Sequence, residues 1–136
     1  MYKDSYKLMS SNNKILLVED EKDLADIFSS QLKADGFDVT VAANGREALE
    51  VIKKTKFWLV LLDLVMPDMD GYEVLKKLKL KEDKKDHGMV IYAWSNLTQK
   101  GEINKAKRLG ADEYLVKSDY IPSKLSEKIK QLLNSK

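Results

Sequence analysis

The stretch that most constrains the fold is an unbroken apolar run, WLVLL at residues 58–62, which ends directly on Asp63. Pro67 and Gly71 interrupt the backbone soon afterwards. An apolar run without alternation is typical of a central strand in a parallel sheet, which is covered on both faces. A carboxylate at the carboxyl end of such a strand lies at the rim where open α/β sheets bind ligands. Asp63 alone could equally begin a turn, so its meaning depends on acids elsewhere in the chain.

Composition indicates one globular domain without a membrane segment. The chain has 136 residues, the size of a single domain. Its 43% hydrophobic and 34% charged residues allow both a core and a solvated surface. The net charge of +2 is too small to indicate binding to nucleic acid or to an anionic membrane. No apolar stretch approaches the roughly 20 residues needed to span a bilayer.

The chain contains no cysteine, which removes disulfides and thiolate metal sites and fits a cytoplasmic protein. Residues 1–13 are polar and lack the apolar centre of a signal peptide. We therefore expect a flexible N-terminal tail at residues 1–13 and a single folded domain at residues 14–136.

Short apolar segments alternate with amphipathic segments along that domain. Strands are predicted at residues 15–18, 37–42, 57–62, 89–94 and 113–116. Helices are predicted at residues 21–35, 45–52 with frayed residues 53–56, 71–80, 99–109 and from residue 122 onwards. Five strands alternating with five helices predict an α/β fold, a doubly wound five-stranded parallel sheet with right-handed crossovers.

Local signals fix several helix ends. Gly36 and Gly110 supply left-handed stops, and Pro122 suits the first turn of the last helix. Asn44 and Thr98 are the predicted N-caps of the second and fourth helices. In the first helix, the spacing predicts one buried face formed by four apolar residues, Leu24, Ile27, Phe28 and Leu32.

The predicted strands end on polar side chains: Glu19 and Asp20 after the first, Asp63 after the third, Ser95 after the fourth and Lys117 after the fifth. In a parallel sheet these ends lie on one edge. Carboxylates within about 4–6 Å repel each other and shift each other's pKa, and a divalent cation would relieve that repulsion. Hard oxygen ligands suit Mg²⁺. Together with a lysine and a hydroxyl, such a site is suited to holding a phosphoryl group on a carboxylate.

The chain resembles a response-regulator receiver domain of two-component signalling, in its single-domain, chemotaxis-regulator-like form. The matching segments are ILLVEDE at 15–21, LVLLDLVMPDMDGYEVL at 59–75 and LGADEYLVK at 109–117. The similarity extends from about residue 14 to the C-terminus. The resemblance implies a (βα)5 flavodoxin-like fold with strand order 2-1-3-4-5 and an acidic cleft beside the first and third strands.

The resemblance also implies roles for the acidic residues. Asp63 matches the phosphoacceptor, which takes its phosphoryl group from a sensor histidine kinase or a histidine phosphotransfer protein. Glu19, Asp20 and Asp63, with the main-chain carbonyl of Val65, match the Mg²⁺ ligands. Such a domain catalyses its own phosphorylation and dephosphorylation without being a conventional enzyme.

Three further residues match the switching machinery. Ser95 matches the hydroxyl residue that turns toward the phosphoryl group, Lys117 the lysine that pairs with it, and Tyr114 the aromatic residue that packs inward. The implied output is a changed surface on the fourth helix, fifth strand and fifth helix, read by a downstream protein that the sequence does not identify. We expect a monomer or weak dimer that contacts neither nucleic acid nor membrane.

Each site residue taken alone has a plainer interpretation. Glu19 and Asp20 could cap the first helix, and Ser95 could be an ordinary strand-terminal hydroxyl. Tyr114 could be a half-buried strand aromatic, and Lys117 a solvated charge. Their coincidence with the strand ends favours the site.

Two other functions remain open. One is an unphosphorylated, receiver-like interaction module. The other is a metal-dependent aspartyl phosphatase, although such enzymes commonly carry a second acid two residues after the nucleophile, where this chain has Val65.

The chain departs from the family pattern at four positions. Ser118 stands where proline usually follows the lysine, often with a cis bond. A cis bond before a non-proline residue costs about 2.5–4 kcal/mol, so either the bond is trans or the site sustains strain. Asn96 replaces a small residue and could narrow access or add a hydrogen bond. Val65 and Leu97 are apolar and cannot orient a water, which predicts slow self-dephosphorylation.

Overall fold

The computed structural model describes residues 12–79 and 89–135, which form a five-stranded sheet flanked by helices. The strands are β1 (Lys14–Val18), β2 (Asp38–Ala42), β3 (Leu59–Asp63), β4 (Val90–Ser95) and β5 (Glu113–Val116). The helices are α1 (Lys22–Ala34), α2 (Gly45–Lys54), α3 (Gly71–Lys79), α4 (Lys100–Arg108) and α5 (Pro122–Asn134). No helix in these described ranges is long and apolar enough to cross a bilayer.

The sheet order is β2-β1-β3-β4-β5, and every neighbouring pair is parallel. The predicted doubly wound, flavodoxin-like fold and its strand order are therefore confirmed. The chain reverses its direction of travel across the sheet between β1 and β3. Their carboxyl ends meet at the topological switch point, where open α/β sheets bind ligands.

The central strand β3 divides two apolar cores. All five of its residues are buried, as the unbroken apolar run predicted. On one face of the sheet, α1 and α5 pack their buried residues against Ile15 and Leu17 of β1. On the other face, α2, α3 and α4 pack against Leu16 and Val18. Alternate side chains of β1 thus enter opposite cores, which fixes both β1 and its carboxyl end.

Several predicted helix signals are present in the structure. Gly36 and Gly110 both have positive φ angles, 101° and 117°, at the ends of α1 and α4. The Asn44 side chain accepts a hydrogen bond from the Glu47 N–H at 2.9 Å and caps α2. Pro122 lies in the first turn of α5.

Two local predictions were wrong. Ile27 was placed on the buried face of α1, but its side chain is 53% exposed. The buried residues of α1 are Ala25, Phe28, Ser29 and Leu32, whose spacing of three and four forms one helical stripe that leaves Ile27 outside it. The N-cap of α4 is Gln99 rather than Thr98. The Gln99 side chain makes no capping hydrogen bond, and the Gln99 carbonyl accepts the N–H groups of Glu102 and Ile103 at the start of the helix.

Some predicted segments lie outside the described residues. These are residues 1–11 of the expected tail, residue 80 at the end of the predicted third helix, and the charged connection at residues 81–88, which contains His87. The division into a tail at residues 1–13 and a domain at residues 14–136 stays a prediction.

A polar bridge joins α1 to α5 and gives a testable pH dependence of stability. Asp35 accepts hydrogen bonds from the buried Ser126 hydroxyl and from Gln31, and Lys130 lies 3.8 Å away. The Ser126 hydroxyl holds the pKa of Asp35 below its ordinary 3.8. A lowered folded pKa contributes stability that is present above the unfolded pKa and lost as pH falls through the folded value.

We therefore expect Ser126→Ala to lower the free energy of unfolding by about 1–2 kcal/mol at neutral pH. The difference from wild type should shrink in strongly acidic solution, where Asp35 is protonated in both proteins. Urea unfolding at the two pH values measures it, with the exposed Ser30→Ala as control. A Ser126→Ala loss that did not change with pH would contradict the linkage to Asp35.

Candidate functional site

The carboxyl edge of the sheet gathers polar side chains from four strand ends. Asp63 and Ser95 are the last residues of β3 and β4, while Glu19 and Lys117 directly follow β1 and β5. Asp63, Ser95 and Lys117 line an open cleft of about 390 Å³ together with the exposed Asp20, and the buried Glu19 contacts Lys117. The structure thus brings together the acids, the hydroxyl and the lysine that the sequence placed at strand ends.

Three carboxylates crowd this edge. One oxygen from each of Glu19, Asp20 and Asp63 lies within 4.8 Å of the others. Glu19 and Asp63 are only 2% and 3% exposed. The Lys117 ammonium lies 2.6 Å from Glu19 Oε1 and 3.0 Å from Asp63 Oδ2. One lysine therefore faces three acids, which leaves a net negative charge in the cleft.

Burial dominates the electrostatics of Asp63. Burial, with a smaller contribution from the Glu19 charge, raises the pKa of Asp63 from 3.8 to about 7. The Lys117 charge and the hydrogen bond from the Val65 N–H to Asp63 Oδ1, at 3.0 Å, oppose the increase without cancelling it. A carboxylate that remains short of positive charge beside two others suits a divalent cation with hard oxygen ligands, such as Mg²⁺.

Lys117 remains charged in this environment. Burial acts to lower its pKa, but the contacts with Glu19 and Asp63 outweigh that effect and raise the pKa above 10.5. The sequence placed Lys117 near a phosphoryl group and missed its close pairing with Glu19. No local signal could reveal that pair, because the two residues are 98 positions apart.

The loop after β4 is held from two sides. Ser95 is 1% exposed, and its hydroxyl accepts a hydrogen bond from the Leu97 N–H at 3.2 Å. The Tyr114 hydroxyl donates to the Leu97 carbonyl at 2.7 Å. Tyr114 is partly buried and packs against the core on the α4 side of the sheet. Ser95 and Tyr114 therefore contact the same residue, so a displacement of one can be transmitted to the other.

The structure decides the alternatives raised by Ser118 and Asn96. No cis peptide bond occurs in residues 12–79 or 89–135, so the Lys117–Ser118 bond is trans. The Ser118 N–H donates to Asn96 Oδ1 at 2.8 Å. Asn96, which lines the cleft, thus adds a hydrogen bond. This is one of the two possibilities raised from the sequence.

Gly71 is a further residue that the site requires, at the point where the loop after β3 returns to the sheet. A Cβ atom at Gly71 would lie 2.3 Å from the Asp63 carbonyl oxygen and 2.7 Å from Leu64 Cα. The Gly71 N–H also donates to the Leu64 carbonyl at 3.1 Å. The sequence signalled a break here but not this close backbone approach.

Gly71→Ala is expected to lower the free energy of unfolding by about 2–3 kcal/mol, because backbone atoms must move to admit the methyl group. Gly101→Ala is the matched control, since no described atom lies within 4 Å of its added Cβ. In α4 that control should raise stability by about 1 kcal/mol. Chemical denaturation measures both, and equal effects of the two changes would contradict the close approach.

Comparisons with known proteins agree with this geometry. Residues 15–130 match the family model of the response regulator receiver domain. The chain is 36% identical over 120 residues to the probable transcriptional regulator ycf27 of Porphyridium aerugineum, covering 88% of this chain and 48% of that protein. It is 33% identical over 125 residues to the alkaline phosphatase synthesis transcriptional regulatory protein PhoP of Bacillus subtilis, covering 90% and 49%. The chain spans about half the length of these curated relatives.

Solved structures give the same result. The chemotaxis response regulator CheY4 of Vibrio cholerae superposes with a TM-score of 0.79 and 29% identity, covering 89% of this chain and 98% of that one. A CheY-like response regulator receiver domain protein from Methanospirillum hungatei superposes with a TM-score of 0.79 and 32% identity, covering 92% and 96%. With the strand order and the acidic edge already in place, these matches show that the chain belongs to the response-regulator receiver family of two-component signalling.

Proposed function

We propose that this receiver domain is a phosphorylation-controlled switch in which Asp63 accepts the phosphoryl group. The observation that carries the proposal is the position of Asp63 in the open cleft, where its Oδ2 lies 3.0 Å from Lys117. The two further acids within 4.8 Å come from a different strand end. The donor is a phosphohistidine on a sensor histidine kinase or a histidine phosphotransfer protein.

Glu19, Asp20 and Asp63, with the Val65 carbonyl, would hold Mg²⁺, which supplies positive charge to the transferring oxygens. An Asp63 carboxylate oxygen attacks phosphorus as the bond to the histidine nitrogen breaks and the imidazole leaves. Lys117 already contacts both buried acids, and it is within reach of the charge that arrives on the phosphoryl oxygens. The domain thus contributes to its own phosphorylation through position and charge.

The phosphoryl group would change the loop after β4. The Ser95 hydroxyl exchanges its bond from the Leu97 N–H for one to a phosphoryl oxygen. Because the Tyr114 hydroxyl is bonded to the Leu97 carbonyl, Tyr114 follows the loop inward. The affected surface is formed by α4, β5 and α5. The change is a population shift whose size is limited by the difference in contacts between the two states.

The readout would be a contact between this α4–β5–α5 surface and a downstream protein. The domain itself would act as a monomer or weak dimer. The loss of the phosphoryl group to water would return the surface to its resting state.

Incubation with acetyl phosphate and Mg²⁺, followed by intact mass measurement, tests the proposal. We expect a single phosphoryl adduct that does not form when EDTA removes the metal. A protein that takes no adduct under either condition would be an interaction module. Turnover of a small phosphoester without an accumulating adduct would indicate a phosphatase.

The adduct should be long-lived. Val65 lies at the cleft with 58% of its side chain exposed, and Leu97 lines the same opening. Neither side chain can orient an attacking water. We expect Val65→Asn to shorten the lifetime several-fold, whereas Ile121→Asn, at an exposed apolar position that does not line the cleft, should leave it unchanged. A wild-type lifetime of only seconds would contradict this hypothesis.

A further inference from the structure

A hydrogen bond joins the loop after β4 to the turn after β5. The Ser118 N–H donates to Asn96 Oδ1 at 2.8 Å, across 22 positions of sequence. The two residues directly follow Ser95 and Lys117, the hydroxyl and the ammonium of the cleft. Because β4 and β5 are parallel neighbours with Ser95 opposite Val116, the two segments leave the sheet side by side.

The segment that carries Lys117 has little structure of its own. It is a single 3-10 turn, Lys117–Asp119, closed by a bond from the Tyr120 N–H to the Lys117 carbonyl at 3.1 Å. The first N–H groups of such a turn have no acceptor within it. Asn96 supplies one from the neighbouring loop, in the manner of a helix cap. The turn is therefore oriented from outside by the β4 side of the cleft.

We propose that Asn96 is a positioning residue for phosphoryl transfer, which holds the Lys117–Asp119 turn so that the Lys117 ammonium points at Asp63. This inference rests on the proposed function. Lysine has a long, flexible side chain that loses much rotamer freedom when its ammonium is fixed. Anchoring its backbone narrows the positions that the ammonium samples. The ammonium must be in place when charge develops on the phosphoryl oxygens.

The position of Asn96 suggests an effect on rate rather than on stability. Both Asn96 and Ser118 are exposed, so water can replace either partner when the bond is lost, and the fold loses little. What disappears is the fixed relation between the two loops. The Tyr114 hydroxyl bond to the Leu97 carbonyl holds the next position of the loop, so the loop keeps one anchor when the other is removed.

The test measures the rate of adduct formation with acetyl phosphate and Mg²⁺ over a range of donor concentrations. Asn96→Ala is expected to lower the maximal rate about three- to tenfold, with the half-saturating donor concentration unchanged. Thr98→Ala, an exposed position in the same loop, is the matched control and should keep the wild-type rate.

The backbone donor can be removed separately. In a Ser118→Pro background, which has no N–H at that position, Asn96→Ala should have no further effect. In a Ser118→Ala background, which keeps the N–H, Asn96→Ala should lower the rate of adduct formation by the same factor as in wild type. If Asn96 instead touched the donor directly, its loss would be equally severe in all three backgrounds.

Amide hydrogen exchange reports the hydrogen bond between Ser118 and Asn96 independently of phosphoryl transfer. The Ser118 amide should exchange faster in Asn96→Ala than in wild type, and Asn96→Asp, which keeps an acceptor oxygen, should restore its protection.

Three outcomes would each overturn the inference. They are unchanged amide exchange at Ser118, an Asn96→Ala phosphorylation rate equal to that of Thr98→Ala, or an Asn96→Ala effect that persists in Ser118→Pro. A wild-type protein that takes no phosphoryl group would refute the proposed function itself, a different outcome. If Ser118→Pro does not fold, the Ser118→Ala background and the exchange measurement decide.

Discussion

Asp63→Asn is expected to abolish the phosphoryl adduct completely and, in the same protein, to raise the free energy of unfolding of the metal-free domain. The first effect follows because an amide cannot replace the carboxylate as nucleophile. The second follows because, above neutral pH, Asp63 carries its charge in a buried site where it shares the Lys117 ammonium with Glu19. Replacing a residue that serves the site at the expense of the fold therefore removes the activity and increases the stability.

The pH dependence fixes the sign of the stability change. The pKa of Asp63 is raised from 3.8 to about 7, mainly by burial. A raised folded pKa contributes stability that is present below the unfolded pKa and lost as pH rises through the folded value. Above neutral pH the wild-type domain lacks this contribution, so Asp63→Asn should gain roughly 2–4 kcal/mol. In acid, where Asp63 is protonated, the two proteins should differ little.

Urea unfolding in EDTA, once above neutral pH and once in acid, measures the change in the free energy of unfolding. Intact mass measures the adduct. Asp26→Asn, an exposed acid on α1, is the control and should change stability by less than about 0.5 kcal/mol. An adduct that survives Asp63→Asn would place the phosphoacceptor elsewhere. A mutant less stable than wild type above neutral pH would show that Asp63 is not held under electrostatic strain.

Lys117→Met should have the opposite effect on stability. Methionine keeps most of the side-chain length but removes the ammonium that lies 2.6 Å from Glu19 Oε1 and 3.0 Å from Asp63 Oδ2. Both acids are buried, and removing one partner of a buried ion pair costs about 3–5 kcal/mol, because the remaining charge is left uncompensated. We expect a loss of that size for the metal-free domain above neutral pH, together with slower adduct formation.

The cause can be isolated by restoring the charge balance. Mg²⁺ should recover part of the lost stability, because a cation that binds only the folded state stabilises it. Asp63→Asn in the Lys117→Met background should recover part of it as well, since one of the two uncompensated acids is then neutral. Lys14→Met, which breaks a solvent-exposed pair with Asp38, is the control and should cost at most about 1 kcal/mol. If the two lysine changes cost the same, the cleft lysine does not carry the buried charges.

Much of the fold could be predicted from hydrophobic periodicity. The unbroken run before Asp63 predicted a strand covered on both faces, and β3 is buried along its whole length. Alternation of such strands with helices predicted a parallel sheet, and a parallel sheet brings the carboxyl ends of its strands to one edge. The gathering of Glu19, Asp63 and Ser95 follows from that topology.

Where a prediction from residue type failed, tertiary packing decided which residues are buried or begin a helix. Ile27 is apolar and 53% exposed, whereas α1 buries Ala25, Phe28, Ser29 and Leu32, which form one helical stripe that leaves Ile27 outside it. Thr98 is a good capping residue by type, but α4 begins after Gln99, whose carbonyl accepts the N–H groups of Glu102 and Ile103.

The sequence by itself determined the order of strands and helices, the burial of the central strand and the set of acids at the sheet edge, because these depend on neighbours along the chain and on the geometry of parallel strands. Only the tertiary structure decided that Lys117 bonds Glu19 as well as Asp63, that Gly71 must lack a side chain, and that Asn96 receives the Ser118 N–H. Each of these is a contact between separate segments, formed when the helices pack on the sheet and close the loops over its edge. No periodicity within a segment specifies such a contact.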